Sequence, residues 1–187
     1  MTVPHGGPAA PDGRLAVVVA PLRHKDLTAV LRIEDEVFDE PWSRRLFLDE
    51  LAQRTSRAYR GVWVGTELVG YAGQMSIDDE AHVNNIAVAP GWTGRRIGTA
   101  LIADLVRTAL ARGSAHLTLE VAVGNEPAIA LYRRFGLAPV GVRPNYYAGG
   151  GDALIMWVRD IDTGDYAERL EAVEASLPTD LAVTSRR

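Results

Sequence analysis

From Asn85 to Ile102 the chain reads NIAVAPGWTGRRIGTALI: an apolar strand-like run passes through Pro90-Gly91 into a Gly/Arg-rich turn, and the turn opens directly into a helix. Ile97, Leu101, Leu105, Val106 and Leu110 recur on one helical face, and Arg112-Gly113 ends it. Backbone N–H groups in a helix's first turn have no intrahelical partner, and the dipole there favours negative charge. Gly94 and Gly98 let a phosphate approach the backbone, and Arg95 and Arg96 add positive charge in a chain whose net charge is −4. The unit therefore reads as a cradle for a pyrophosphate. The same residues also describe a plain helix start with solvated arginines. The spacing is neither a Walker A loop nor a GxGxxG fingerprint.

The rest of the chain alternates strand and helix signals around this unit. Leu15 to Ala20 is a short β-branched run, and Leu27, Val30, Leu31, Ile33 and Val37 fit a helical face. Pro41-Trp42-Ser43 breaks the chain, and Ser43 caps a second helix through about Gln53. Ala58–Gly65 and Leu68–Ile77 form a hairpin about Gly65-Thr66-Glu67, and Glu80–Ala89 is a further strand. His116 to Val123 alternates strictly, with Leu117, Leu119, Val121 and Val123 on one side. Asn125 to Phe135 is a short helix stopped by Gly136, and strands are predicted over about Ala138–Tyr146 and Ala153–Asp160. The fold class is thus mixed α/β, in the order β-α-α-β-β-β-α-β-α-β-β. Residues 1–13, rich in proline and glycine, read as a disordered leader, 14–162 as the domain, and 163–187 as a tail. Thr163 to Ser176 of that tail is helix-compatible, and the polar end is expected to fray.

Composition removes several classes of function. There is no cysteine, hence no disulfide, thiolate catalyst or Cys-ligated zinc. The four histidines (His5, His24, His82 and His116) make no HExxH pair, so no metal is expected. No apolar run approaches a membrane span and no signal peptide is visible, which leaves the cytoplasm as the expected location. The acidic balance argues against nucleic acid as a partner.

Among chemistry-bearing residues, Glu120 lies mid-strand opposite Leu119 and Val121, either on a solvated sheet face or lining a cleft. Tyr132 follows Ile129 on the last short helix, where packing with a hydrogen-bonded hydroxyl is the default. Asn125 before Glu126-Pro127 is a sound N-cap. Glu34, Asp35, Glu36, Asp39 and Glu40 form an acidic run that reads as a solvated face, or as a reader of a cationic acceptor. His82 and His116 read as structural.

The strand–turn–helix unit resembles the signature of the GNAT superfamily of N-acetyltransferases, Q/R-x-x-G-x-G/A. Thr93 stands near the usual Gln/Arg, Arg96 occupies the first motif glycine, and Gly98 fits the second. Phe38-x-x-Pro-Trp-Ser43, Thr118-Leu-Glu-Val121, Asn125, Ala128-Ile-Ala-Leu-Tyr-Arg-Arg-Phe-Gly136 and Arg143-x-Asn-Tyr-Tyr147 continue the likeness in order, closest to the RimI type. It covers about Val17 to Asp160.

That resemblance implies a GNAT fold whose mixed sheet splays between the fourth and fifth strands. Acetyl-CoA would bind there, its pantetheine arm on main-chain groups of Ile86, Ala87 and Val88. Its phosphates would lie on the turn of Gly94, Arg95, Arg96, Ile97, Gly98 and Thr99, with Asn125 also touching the cofactor. Glu120 is implied as general base and Tyr132 as general acid, with Phe38, Trp42, Tyr146 and Tyr147 holding the acceptor. The implied acceptor is the N-terminal alanine of a small-subunit ribosomal protein, and the enzyme is expected to be a monomer. An α-amine titrates at about 7.7–8.0, so about a tenth is neutral at pH 7 and a modest carboxylate base suffices. Lysine, at about 10.4, would need roughly 4–5 kcal/mol for the same deprotonation. Alternatives are a GNAT enzyme for lysine side chains or small amines, and a CoA-binding or interaction module without catalysis.

Overall fold

The structure is a computed structural model, described for residues 15–178 and 181–186. The leader expected over residues 1–13 lies outside the described residues. One eight-stranded sheet runs through the molecule in the order β6-β7-β5-β4-β3-β2-β1-β8. Its strands are β1 (Leu15–Pro21), β2 (Arg57–Val64), β3 (Glu67–Ile77), β4 (Glu80–Val88), β5 (His116–Ala122), β6 (Ala138–Arg143), β7 (Ala153–Val158) and β8 (Leu181–Ser185). The helices are α1 (Leu27–Val37), α2 (Arg44–Ala52), α3 (Ile97–Ala111), α4 (Glu126–Arg134) and α5 (Gly164–Ala175). Up to β7 the order of strands and α-helices is the one the sequence predicts.

Helices cover both faces of the sheet, because side chains alternate across each strand. On one face Leu27, Val30 and Ile33 of α1 and Phe47 of α2 pack on Tyr59, Leu68, Tyr71 and Ala87. On the other, Ile97, Leu101, Ile102 and Leu105 of α3 pack on Val62, Val69, Leu117 and Leu119, with Ile129 and Phe135 closing one side. Each such fully buried side chain contributes about 1.5–3 kcal/mol. Arg60 of β2 reaches into the second layer and pairs with Asp104 of α3, Nε to Oδ2 at 2.5 Å and Nη2 to Oδ1 at 3.1 Å. Ser43 caps α2 by accepting the N–H of Leu46 at 3.2 Å, as its place in the sequence predicts.

The sheet parts where the resemblance implies. Strands β4 and β5 are parallel neighbours only over Glu80–Val83 and His116–Leu119. At the same point β4 carries an extra residue: Gly73 faces Asn85 and Gln74 faces Val83, which leaves Asn84 as a bulge. A bulge bends and twists its strand, so it turns Asn84–Val88 away from β5 while β3 holds the other edge.

Two expectations are corrected. The polar end is not frayed over Leu181–Ser185; it lies parallel to β1, from Leu15 opposite Leu181 to Val19 opposite Ser185. This covers what would be an open sheet edge. Strand β6 stops at Arg143 rather than near Tyr146, because Asn145 turns at φ 53° and its N–H bonds to Asp152 Oδ1 at 2.9 Å. The helix expected within Thr163–Ser176 is present as α5, and its Tyr166, Leu170 and Val173 join the core against α3.

Candidate active site

Strand β5 turns Leu117, Leu119 and Val121 into the helical layer, so Glu120 faces the opposite way, at the level where β4 departs. Of the two environments its pattern allows, it occupies the cleft: its side chain is only 7% exposed. Glu120 Oε2 lies 2.5 Å from His82 Nε2, and Oε1 lies 3.3 Å from Arg143 Nη2. The loop after β6 brings Tyr146 and Tyr147 to the same place, with their rings edge to face at 5.1 Å. Arg143 stacks over Tyr146 at 5.7 Å. Burial holds both phenols above their ordinary range, the negative charge of Glu120 adds to this, and Arg143 pulls Tyr146 the other way.

Tyr132 projects from α4 into the core and is 5% exposed. Burial raises its hydroxyl well above the usual phenol value, and Tyr147 raises it further, so the two rings are electrostatic neighbours.

Across the parting, Ile86 and Val88 turn their side chains onto the larger core cluster and Ala87 joins the smaller one. Among the described residues no strand pairs with β4 on its β5 side beyond Val83, so that edge of Asn84–Val88 is available to an extended arm. The turn that follows is left-handed twice. Gly94 sits at φ 75° in open space, and Arg96, the N-cap of α3, sits at φ 63°. The first helical bond is made by Ala100 N–H to Arg96 O at 3.1 Å, which places the N–H groups of Ile97, Gly98 and Thr99 at the helix's positive end. Arg95 stacks on Trp92 at 5.0 Å. The glycine at position 98 answers to a neighbour, because a Cβ there would meet Leu131 Cδ2 at 3.1 Å. Gly98 thus sets how closely α3 approaches α4. Asn125 caps α4, accepting Ala128 N–H at 3.3 Å.

Phe38 and Trp42 are half-buried in the loop between α1 and α2, with Trp42 tilted against Phe47 at 5.5 Å. What fixes this loop is Glu34, which the acidic run disguised. Its carboxylate has no exposed surface and accepts Trp42 N–H at 2.5 Å, Asn85 Nδ2 at 3.0 Å and the Tyr71 hydroxyl. The spacing carried the signal: Glu34 stands seven residues after Leu27 and four after Val30, on the apolar stripe of α1. The other missed residue is His82. Its register against Thr118, which sets it beside Glu120, is a long-range property.

A sheet parted between parallel strands, with a buried carboxylate in the gap and a left-handed turn leading into a helix beside it, is the architecture of an N-acetyltransferase. The chain belongs to the acetyltransferase (GNAT) family, whose model matches residues 27–137. It is similar to a Bacillus subtilis protein provisionally named a ribosomal protein bS18-alanine N-acetyltransferase, at 38% identity over 138 residues (73% of this chain and 91% of that one). The N-alpha-acetyltransferase RimI of Mycobacterium tuberculosis is 37% identical over 147 residues, 75% of this chain and 90% of its own. The crystal structure of the ribosomal-protein-S18-alanine N-acetyltransferase from Escherichia coli superposes with a TM-score of 0.71 at 32% identity, covering 77% of this chain and 94% of that one.

Proposed function

We propose that this enzyme transfers acetyl from acetyl-CoA to the N-terminal alanine of a small-subunit ribosomal protein. The observation that carries the reading is Glu120, a carboxylate 7% exposed at the parting of β4 and β5, backed by His82 and Arg143. The names of the relatives from Bacillus subtilis and Escherichia coli support the acceptor, and that of the Mycobacterium tuberculosis relative supports an α-amine.

The pantetheine arm lies along main-chain groups of Ile86, Ala87 and Val88 as an added strand. Its diphosphate meets the N–H groups of Ile97, Gly98 and Thr99, with Gly94, Arg95 and Arg96 around it and Asn125 alongside. The acceptor's N-terminus enters between the Phe38–Trp42 loop and Tyr146-Tyr147. Glu120, directly or through a water, takes a proton from the ammonium, and the freed amine attacks the thioester carbon. A main-chain N–H near Val88 stabilises the oxyanion. Tyr132 gives its proton to the leaving thiolate and is reprotonated by the proton that the attacking nitrogen sheds as the amide forms. No cysteine is present, so the chain forms no acyl-thiol intermediate. The enzyme works without a metal, as a monomer in the cytoplasm, and a net charge of −4 gives it no footprint for nucleic acid. Among the described residues no helix is long and apolar enough to cross a membrane.

Mass spectrometry of a peptide panel with varied first residues, run with wild type and Glu120→Gln, tests this. The expected result is acetylation of Ala-first peptides at the α-amine, with lysine side chains spared. Glu120→Gln should lose about 10²–10⁴-fold in turnover while acetyl-CoA affinity is nearly kept. Equal labelling of lysine side chains would remove the N-terminal reading, and an unchanged rate would remove Glu120 from the chemistry.

A further inference from the structure

Glu120 is the end of a hydrogen-bonded line that runs from β5 through β4 to α2 and β2. Its Oε2 meets His82 Nε2 at 2.5 Å, and His82 Nδ1 meets Asn84 Oδ1 at 3.1 Å. Asn84 Nδ2 then donates to Glu50 Oε2 at 3.2 Å. That same oxygen accepts Arg57 Nε at 2.9 Å and the Tyr59 hydroxyl at 2.7 Å. Asn84 is the bulge residue of β4, so the irregularity that parts the sheet also aims this side chain.

The line fixes where protons sit. Glu50, facing a guanidinium, a phenol and an amide, only accepts, so Asn84 must turn its NH₂ to Glu50 and its carbonyl to His82. His82 Nδ1 therefore carries a proton. In a neutral ring Nε2 is then an acceptor facing Glu120 Oε2, so the hydrogen bond between them needs one further proton. One proton is shared between Nε2 and Oε2 in this arrangement.

We propose that His82 is the positioning residue of the base: the proton shed by the acceptor ammonium at Glu120 is held between Oε2 and Nε2, while Asn84 and Glu50 fix the tautomer that makes this possible. The proposal rests on Glu120 being the base. The ammonium loses one proton to the pair, and its nitrogen, once acylated, sheds a second that replaces the one Tyr132 gives to the leaving thiolate. The stored proton then leaves to solvent from the Nε2 side, beside an imidazole that is 26% exposed, and Nδ1 keeps its own. The charged or titratable groups around the pair are Arg143, Tyr146 and Tyr147 on one side and Glu50, Arg57 and Tyr59 on the other. Met75 and Thr118, which flank His82 in register, do not titrate.

The test compares His82→Gln, which can still donate to Glu120 but cannot store a proton, with His82→Ala and Glu120→Gln. His82→Gln should lower kcat about 10–100-fold with both KM values within about twofold, and added imidazole should restore part of the His82→Ala rate but none of the Glu120→Gln rate. In the wild-type protein, ring ¹⁵N spectra should show Nδ1 keeping its proton when the imidazole becomes neutral. A ring that loses its proton from Nδ1 overturns the proposal, even if the variants fold poorly. A slow Glu120→Gln beside a His82→Gln at wild-type kcat overturns His82 alone. An unimpaired Glu120→Gln removes the base reading, and this proposal with it.

Discussion

Glu34 of α1 holds the carboxamide of Asn85, on β4, at 3.0 Å, and it does so with no exposed surface of its own. Through the same carboxyl group it fixes Trp42 of the loop between α1 and α2 and Tyr71 of β3, so one buried side chain joins the loop to the strand that bends away from β5. Burial raises its carboxyl above the ordinary value of 4.5, while the bonds from Trp42 and Asn85 pull the other way.

A raised folded value means that the native chain keeps this proton where the unfolded chain has lost it. The associated stability is complete below about pH 4.5 and is lost as pH rises through the raised value. In Glu34→Gln the slope disappears. Urea midpoints taken between about pH 4 and 7.5 should show the variant gaining on wild type as pH rises. A difference that stays flat with pH would mean that Glu34 ionises as easily folded as unfolded.

Arg96 invites a backbone test. It stands at φ 63°, ψ 14°, where an L-residue loses about 1–2 kcal/mol and glycine escapes most of that at an entropic cost of roughly 0.5–1. Arg96→Gly and Arg96→Ala both remove the charge beside the proposed phosphate site, so both should weaken acetyl-CoA binding to a similar degree in calorimetry. Only glycine relieves the backbone, so Arg96→Gly should be the more stable of the two by about 1 kcal/mol. Equal melting of the two variants would show that the left-handed turn costs nothing here.

What was legible in the sequence was what neighbours in the chain decide. Ser43 and Asn125 cap their helices because a side-chain oxygen need reach only three residues ahead. Glu120 was placed opposite Leu119 and Val121 by alternation alone. Its environment was not, since the cleft depends on where β4 stops pairing with β5. The bulge at Asn84, the register that sets His82 beside Thr118, and the return of Leu181–Ser185 to β1 are all long-range pairings with no local mark. Glu34 is different. Helical spacing put it on the buried face, and the charge of its neighbours concealed that.

Tyr132 carries the most demanding chemical claim. A free phenol at about 10 gives its proton to a thiolate of about 8.5 at a cost of about 2 kcal/mol, and burial of Tyr132 widens the gap unless the thiolate is raised by the same dry surroundings. Tyr132→Phe keeps the ring that packs in the core and removes only the hydroxyl, so its melting should stay within about 1.5 kcal/mol of wild type. Turnover should fall about 10²–10⁴-fold with the KM for acetyl-CoA within about twofold. The decisive comparison uses an acyl donor whose leaving thiol is more acidic, since such a thiolate departs with less help. The penalty for Tyr132→Phe should shrink with that donor. The same penalty for both donors would mean that the hydroxyl only packs, and that the thiolate takes its proton elsewhere.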